Sequence, residues 1–150
     1  MGRRAREPDS PPAAAPEPGS AALVAALHAD LADWMGTDAP PKVFDRFAAA
    51  LHEKFTAVTI LAEVVDREAL LTGVWSVRNA QPGLRIEITD FEELADAGPV
   101  LAVRFVAEYR HGDMLARRRV SAVLSASDHG YQWRSLHETA FPADRQPPAG

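Results

Sequence analysis

Apolar residues recur at helical spacing in the first half of the chain and at every second position in the last third. Leu23, Leu27, Leu31 and Trp34 form one stripe, opened by Ser20 as a cap and stopped by Gly36, so the spacing predicts a helix. Pro40-Pro41 opens a second helix with Phe44, Phe47, Leu51 and Phe55 along one side and His52 and Lys54 at its negative C-terminal end. The β-branched run Thr56–Ile60 reads as a short strand. Asp66 caps a third helix that carries Leu70, Leu71, Val74 and Trp75 up to the turn at Gln81-Pro82-Gly83. From Leu84 the period becomes two, with Ile86 and Ile88 alternating with Arg85, Glu87 and Thr89. Three longer strand segments follow, Val100–His111, Met114–Ser127 and Tyr131–Phe141, joined by turns at Gly112-Asp113 and His129-Gly130. Helices ahead of long antiparallel strands imply an α+β fold, a curved antiparallel sheet with three N-terminal helices packed on its concave face.

Tight turns fix register, and register decides which side chains share a face. A two-residue turn at Gly112-Asp113 sets Tyr109 opposite Ala116, Ala107 opposite Arg118, Phe105 opposite Val120, Val103 opposite Ala122 and Leu101 opposite Leu124. A turn at His129-Gly130 sets Ala126 opposite Trp133, Leu124 opposite Ser135, Ala122 opposite His137, Val120 opposite Thr139 and Arg118 opposite Phe141. Both hairpins then present one inner face, apolar except for Arg118, Ser135, His137, Thr139 and the Tyr109 hydroxyl. The outer face carries Glu108 opposite Arg117, a row of Arg104, Ser121 and Glu138 beside Arg119, and an apolar patch of Ala102, Val123 and Leu136. Such a patch points to subunit contact, so the expected partner is a second copy, in a homodimer through the outer sheet face.

Composition narrows the function classes. The 150 residues are 47% hydrophobic and 25% charged, enough for one domain with its own core. The absence of cysteine rules out thiolate catalysis, Cys-ligated zinc and disulfides, and is compatible with a reducing cytoplasm, the expected location. A net charge of −5 argues against a general nucleic-acid or membrane-surface binder. Residues 1–19, rich in proline and lacking an apolar run, and residues 142–150 read as disordered tails that flank a folded domain over 20–141.

The order of elements and the closing segment Trp133-Arg134-Ser135-Leu136-His137-Glu138-Thr139 resemble the nuclear transport factor 2-like superfamily, in its bacterial SnoaL-like and ketosteroid-isomerase-like branch. The resemblance covers about residues 21–141. It implies a cone-shaped sheet, a hydrophobic conical pocket and dimerisation, while the superfamily spans isomerases, cyclases, epoxide hydrolases, dehydratases and non-catalytic modules. The tyrosine of the ketosteroid isomerases has no counterpart on the first helix. The aspartate–arginine–aspartate set of the epoxide hydrolases finds only Arg118 and Asp90.

The candidate ligand-binding residues are therefore Arg118, Tyr109, Trp133, Ser135, Phe105 and Thr139, with His137 and Asp90 as candidate proton-transfer groups. Arg118 on an apolar face needs an anion, a carboxylate or the pocket mouth, unless a bulge lets Arg117, Arg118 and Arg119 all reach solvent. His137 serves either as a base or as a hydrogen-bonded core histidine. Asp90, inward by alternation from Ile88, serves as a base, pairs with Arg118, or ends its strand. The scattered His28, His52, His111, His129 and His137 make no metal set, and no cofactor motif occurs. Two functions follow: a binding or dimerisation module for a small hydrophobic ligand, or a cofactor-free isomerase or cyclase acting by proton transfer.

Overall fold

The computed structural model describes residues 19–142; apart from Gly19 and Pro142, the expected tails lie outside the described residues. Helix α1 (Ser20–Gly36) follows the predicted stripe and buries Val24, Leu27, His28 and Trp34. Its N-cap is Gly19, and the Ser20 hydroxyl instead donates to Glu93 Oε1 across 2.7 Å. Helix α2 (Pro41–Ala49) starts on its proline but stops six residues before Phe55. Leu51 and Phe55 belong to strand β1 (Leu51–Val58), together with His52 and Lys54. A spacing of four keeps side chains on one face of a strand as well as of a helix, so the Phe47–Leu51–Phe55 series did not distinguish the two. Strand β2 (Val64–Asp66), too short to show a period, leads into helix α3 (Arg67–Ser76), whose Asp66 cap accepts from the Ala69 amide at 2.9 Å. Strands β3 (Arg85–Asp96), β4 (Val100–His111), β5 (Met114–Ser127) and β6 (Gly130–Ala140) complete the chain.

The sheet order is β2-β1-β6-β5-β4-β3, with β1 parallel to β6 and every other pair antiparallel. The α+β architecture is as expected, the sheet being mixed through that one parallel pair. Inner residues of the sheet, among them Phe55, Val103, Phe105, Leu124 and Trp133, form one core with Val24, Leu27, Trp34 and Phe47 of the helices. The segment between α3 and β3 runs along the C-terminal end of α1. The amides of Asn79, Gln81 and Gly83 donate to the carbonyls of Trp34, Met35 and Gly36 at 2.8–2.9 Å, which satisfies helix acceptors that have no partner within the helix. A Cβ on Gly36 would lie 2.9 Å from the Leu84 amide nitrogen, so only glycine allows this approach.

The β4–β5 hairpin keeps the predicted register throughout, from Leu101 opposite Leu124 to Tyr109 opposite Ala116. The β5–β6 hairpin does not. Its turn is Asp128-His129, with Gly130 at φ 101°, so Leu124 faces Trp133; this two-residue offset leaves Trp133 inside, 2% exposed. Pairing then jumps from Leu124–Trp133 to Val123–Ser135, which leaves Arg134 as an extra residue. A one-residue bulge exchanges the faces of everything beyond it. Leu136 and Glu138 therefore face inward, while Ser135, His137 and Thr139 face outward, the reverse of the expected arrangement. In β3 a second irregularity falls between Thr89 and Glu92, where Asp90 sits exposed at φ 50° and Phe91 packs against the core.

Candidate functional site

Helix α1 contributes Leu27, His28 and Leu31 to one wall of a cavity, and β1 and β6 contribute Leu51, Phe55, Ala57, Leu136 and Glu138 to the facing wall. Phe47 of α2, Leu70 and Val74 of α3 and Tyr109 of β4 complete most of the lining. The volume is about 120 Å³, below the roughly 300 Å³ at which drug-sized sites begin and near the roughly 150 Å³ known to accommodate benzene. The ionisable members of the lining are His28, Tyr109 and Glu138.

Tyr109 is held by strand alternation opposite Ile86 and Ala116. Burial, helped by the negative charge of Glu138 and opposed by the Arg118 guanidinium, pushes its phenol far up, so it stays an O–H donor. Burial also raises the Glu138 carboxyl above the usual carboxylate range, again against Arg118. Among the described residues, neither the Tyr109 hydroxyl nor the Glu138 carboxyl has a protein hydrogen-bond partner. Both groups keep accessible surface, neither being a wholly enclosed atom without a partner, so these two are open to a guest. His28 donates from Nδ1 to the Val24 carbonyl at 2.8 Å and packs edge-on against Phe105 and Trp133, ring centroids 5.3 and 6.0 Å away. Burial, opposed by that backbone bond, lowers its pKa and keeps the ring neutral.

Among the residues expected at the site, only Tyr109 lines the cavity. Arg118 is on the inner face, opposite Ala107 and Ala140, with its guanidinium 6.0 Å from the Tyr109 ring and donating to the Arg117 carbonyl at 3.1 Å. Phe105 and Trp133 are fully packed in the core. Ser135 and His137 line a groove on the outer face with Thr56, Leu94, Ala102, Ser121 and Val123, and Thr139 is exposed in the same outward row. Leu136, expected in the outer patch, is in the cavity wall. Asp90 is exposed at the β3 bulge and not aimed inward. Sequence reasoning placed Glu138 outside and gave His28 no role. Among the described residues, no cluster of three or more His, Asp or Glu could hold a metal ion, and no helix is long and apolar enough to cross a membrane.

No family model matches the sequence, and no curated protein matches it. Solved structures do match. A protein of unknown function from Pseudomonas aeruginosa, described as NTF-2 like, superposes with a TM-score of 0.77 at 28% identity over 81% of this chain and 97% of that one. The chain has the nuclear transport factor 2-like fold and belongs with that superfamily. The beta subunit of benzoate 1,2-dioxygenase from Burkholderia mallei shares the nuclear transport factor 2-like architecture, with a TM-score of 0.64 at 14% identity over 85% of this chain and 91% of that one. So does an uncharacterized protein with a cystatin-like fold from Caulobacter vibrioides, with a TM-score of 0.62 at 14% identity, covering 85% and 92%.

Proposed function

We propose that this nuclear transport factor 2-like domain, of the SnoaL-like type, binds a compact and largely apolar molecule inside its cone. The observation that carries this reading is a pair of oxygen groups without a protein hydrogen bond, on Tyr109 and Glu138, in a largely apolar cavity. A core built for packing alone would be more stable with apolar residues there. The test is titration of the full chain with benzene and fluorobenzene, followed by NMR shifts of the Leu27, Leu136 and Val74 methyl groups. Saturable shifts at all three support the reading, and shifts confined to the outer groove overturn it.

Proton-transfer catalysis on such a ligand is the second reading, favoured by the raised Glu138 carboxyl beside an O–H donor. Glu138 takes the role that sequence reasoning gave to His137 and Asp90, with the Arg118 guanidinium 6.0 Å from the Tyr109 ring. Deuterium exchange alpha to the carbonyl of a small cyclic ketone, lost in Glu138→Gln, is the measurement. A second copy of the chain on the outer face is part of the proposal, supported by Leu94, which is 47% exposed, beside Ala102 and Val123. A chain without cysteine suits the cytoplasm.

A further inference from the structure

His28 sits at the middle of α1 and presents its ring to the same cavity as Leu27 and Leu31. Its Nδ1 is committed to the Val24 carbonyl at 2.8 Å. An oxygen acceptor at that distance requires the proton on Nδ1, so Nε2 of the neutral ring carries a lone pair and no hydrogen. That lone pair has no donor among the described residues. Ser125 Oγ is the one wholly enclosed side-chain N or O atom without a partner among those residues, so Nε2 keeps some open surface. The ring as a whole is only 6% exposed, and two of its sides are closed by Phe105 and Trp133. The residue lines the cavity, so the open surface of Nε2 is assigned to it.

The cavity thus displays an acceptor on its helical wall and, across from it, the Tyr109 donor and the Glu138 carboxyl. Resting on the ligand-binding reading above, we propose that His28 Nε2 is the hydrogen-bond acceptor of the site, and that the cone selects a single-ring molecule bearing an O–H or N–H donor, of the phenol or azole class. A hydrocarbon of the same size would fill the volume and leave Nε2 unsatisfied. A ligand hydroxyl supplies the missing donor and at the same time offers an oxygen that Tyr109 can donate to. An anionic ligand gains nothing from Nε2, because both would be acceptors and the buried ring resists taking a proton.

The experiment compares fluorobenzene and phenol, which match in size, on the full chain and on His28→Phe, which retains the ring and removes the lone pair. Phenol is expected to bind the full chain about three- to tenfold more tightly than fluorobenzene, the worth of one hydrogen bond. His28→Phe should bring the two within about twofold. In parallel, the Nε2 resonance in an imidazole ¹⁵N spectrum of the unaltered chain should move upfield with phenol and stay in place with fluorobenzene, a readout that holds even if the variant does not fold. Equal affinities in the unaltered chain, a phenol preference that survives in His28→Phe, or an Nε2 resonance unmoved by bound phenol would each overturn the assignment while leaving the ligand-binding reading intact. Failure of both compounds to bind would remove that reading, and this inference with it.

Discussion

The β4–β5 and β5–β6 hairpins share strand β5 and are both closed by short polar turns, yet one pairs without interruption from Val100–Ser125 to His111–Met114 and the other carries an extra residue at Arg134. In the first, apolar positions keep even spacing: Leu101, Val103, Phe105, Ala107 and Tyr109 all face inward, and no bulge is needed. In the second, the two large apolar residues Trp133 and Leu136 are three apart, an odd spacing that a flat strand cannot bury on one face. Inserting Arg134 resolves the conflict. Its guanidinium is drawn outward to the Lys54 carbonyl at 2.7 Å, and Leu136 turns into the cavity with Glu138 behind it. The regular hairpin builds the floor of the core. The irregular one brings a carboxyl into the cavity.

Leu136→Asp tests this contrast most severely. The bulge turns residue 136 into the apolar cavity, so the variant should lose about 5 kcal/mol or fail to fold, the scale of losing a large apolar side chain and burying an unpaired charge. Denaturant unfolding measures it, and a loss below about 1 kcal/mol would put residue 136 outside. Deleting Arg134 instead leaves Trp133 and Leu136 two apart, so regular alternation should keep both inside and the pairing with β5 unchanged.

Trp133→Ala comes next, at about 3–5 kcal/mol, because Trp133 is the inner anchor just before the bulge and packs against His28 and Phe105. Phe105→Ala on the regular hairpin should cost a similar amount. Comparable losses would show that the two hairpins differ in register and not in core burial.

Glu138→Gln probes the site itself. The folded-state pKa of Glu138 is raised, so the protein prefers the protonated form: this contribution is fully present below the ordinary glutamate range and is lost as pH rises through the folded-state value. Glutamine never ionises, so the variant should gain stability relative to the parent as pH rises above that range, by less than about 1 kcal/mol given partial exposure. Thermal melts from pH 4 to 8 give the comparison. A gain that shrinks with rising pH would contradict the assignment. The smallest effect is expected for His137→Gln, which should change monomer stability by less than about 0.5 kcal/mol because the ring is exposed on the outer face. It should leave binding in the cone unchanged, and sedimentation of the same variant would register an interface there.

Much of the fold was legible because regular periods carried it: α1, the start of α2, the Asp66 cap and the whole β4–β5 register follow from spacing and turn residues alone. The candidate site was less legible, and for one reason in two places. Ile88 and Phe91 in β3, like Trp133 and Leu136 in β6, are apolar residues an odd number apart, and continuing strict alternation past the first member of each pair put Asp90 and His137 inside and Glu138 outside. The odd spacing was itself the available signal for a bulge. His28 carried no such sign. Its role depends on how the helix is rotated over the sheet, which the amphipathic stripe fixes only to within a residue or so.

The segment from Asn79 to Leu84 has a consequence of a different order. Connections between helix and strand are usually where homologous chains gain or lose residues. Here three alternate amides of the connection, those of Asn79, Gln81 and Gly83, are pinned to the last carbonyls of α1, and Gly36 lies against the Leu84 backbone. A single insertion would misalign all three bonds and push the helix end away from the sheet. Length variation in descendants of this chain should therefore collect elsewhere, as at the exposed Leu61 end of the β1–β2 connection, with this loop held to a constant number of residues.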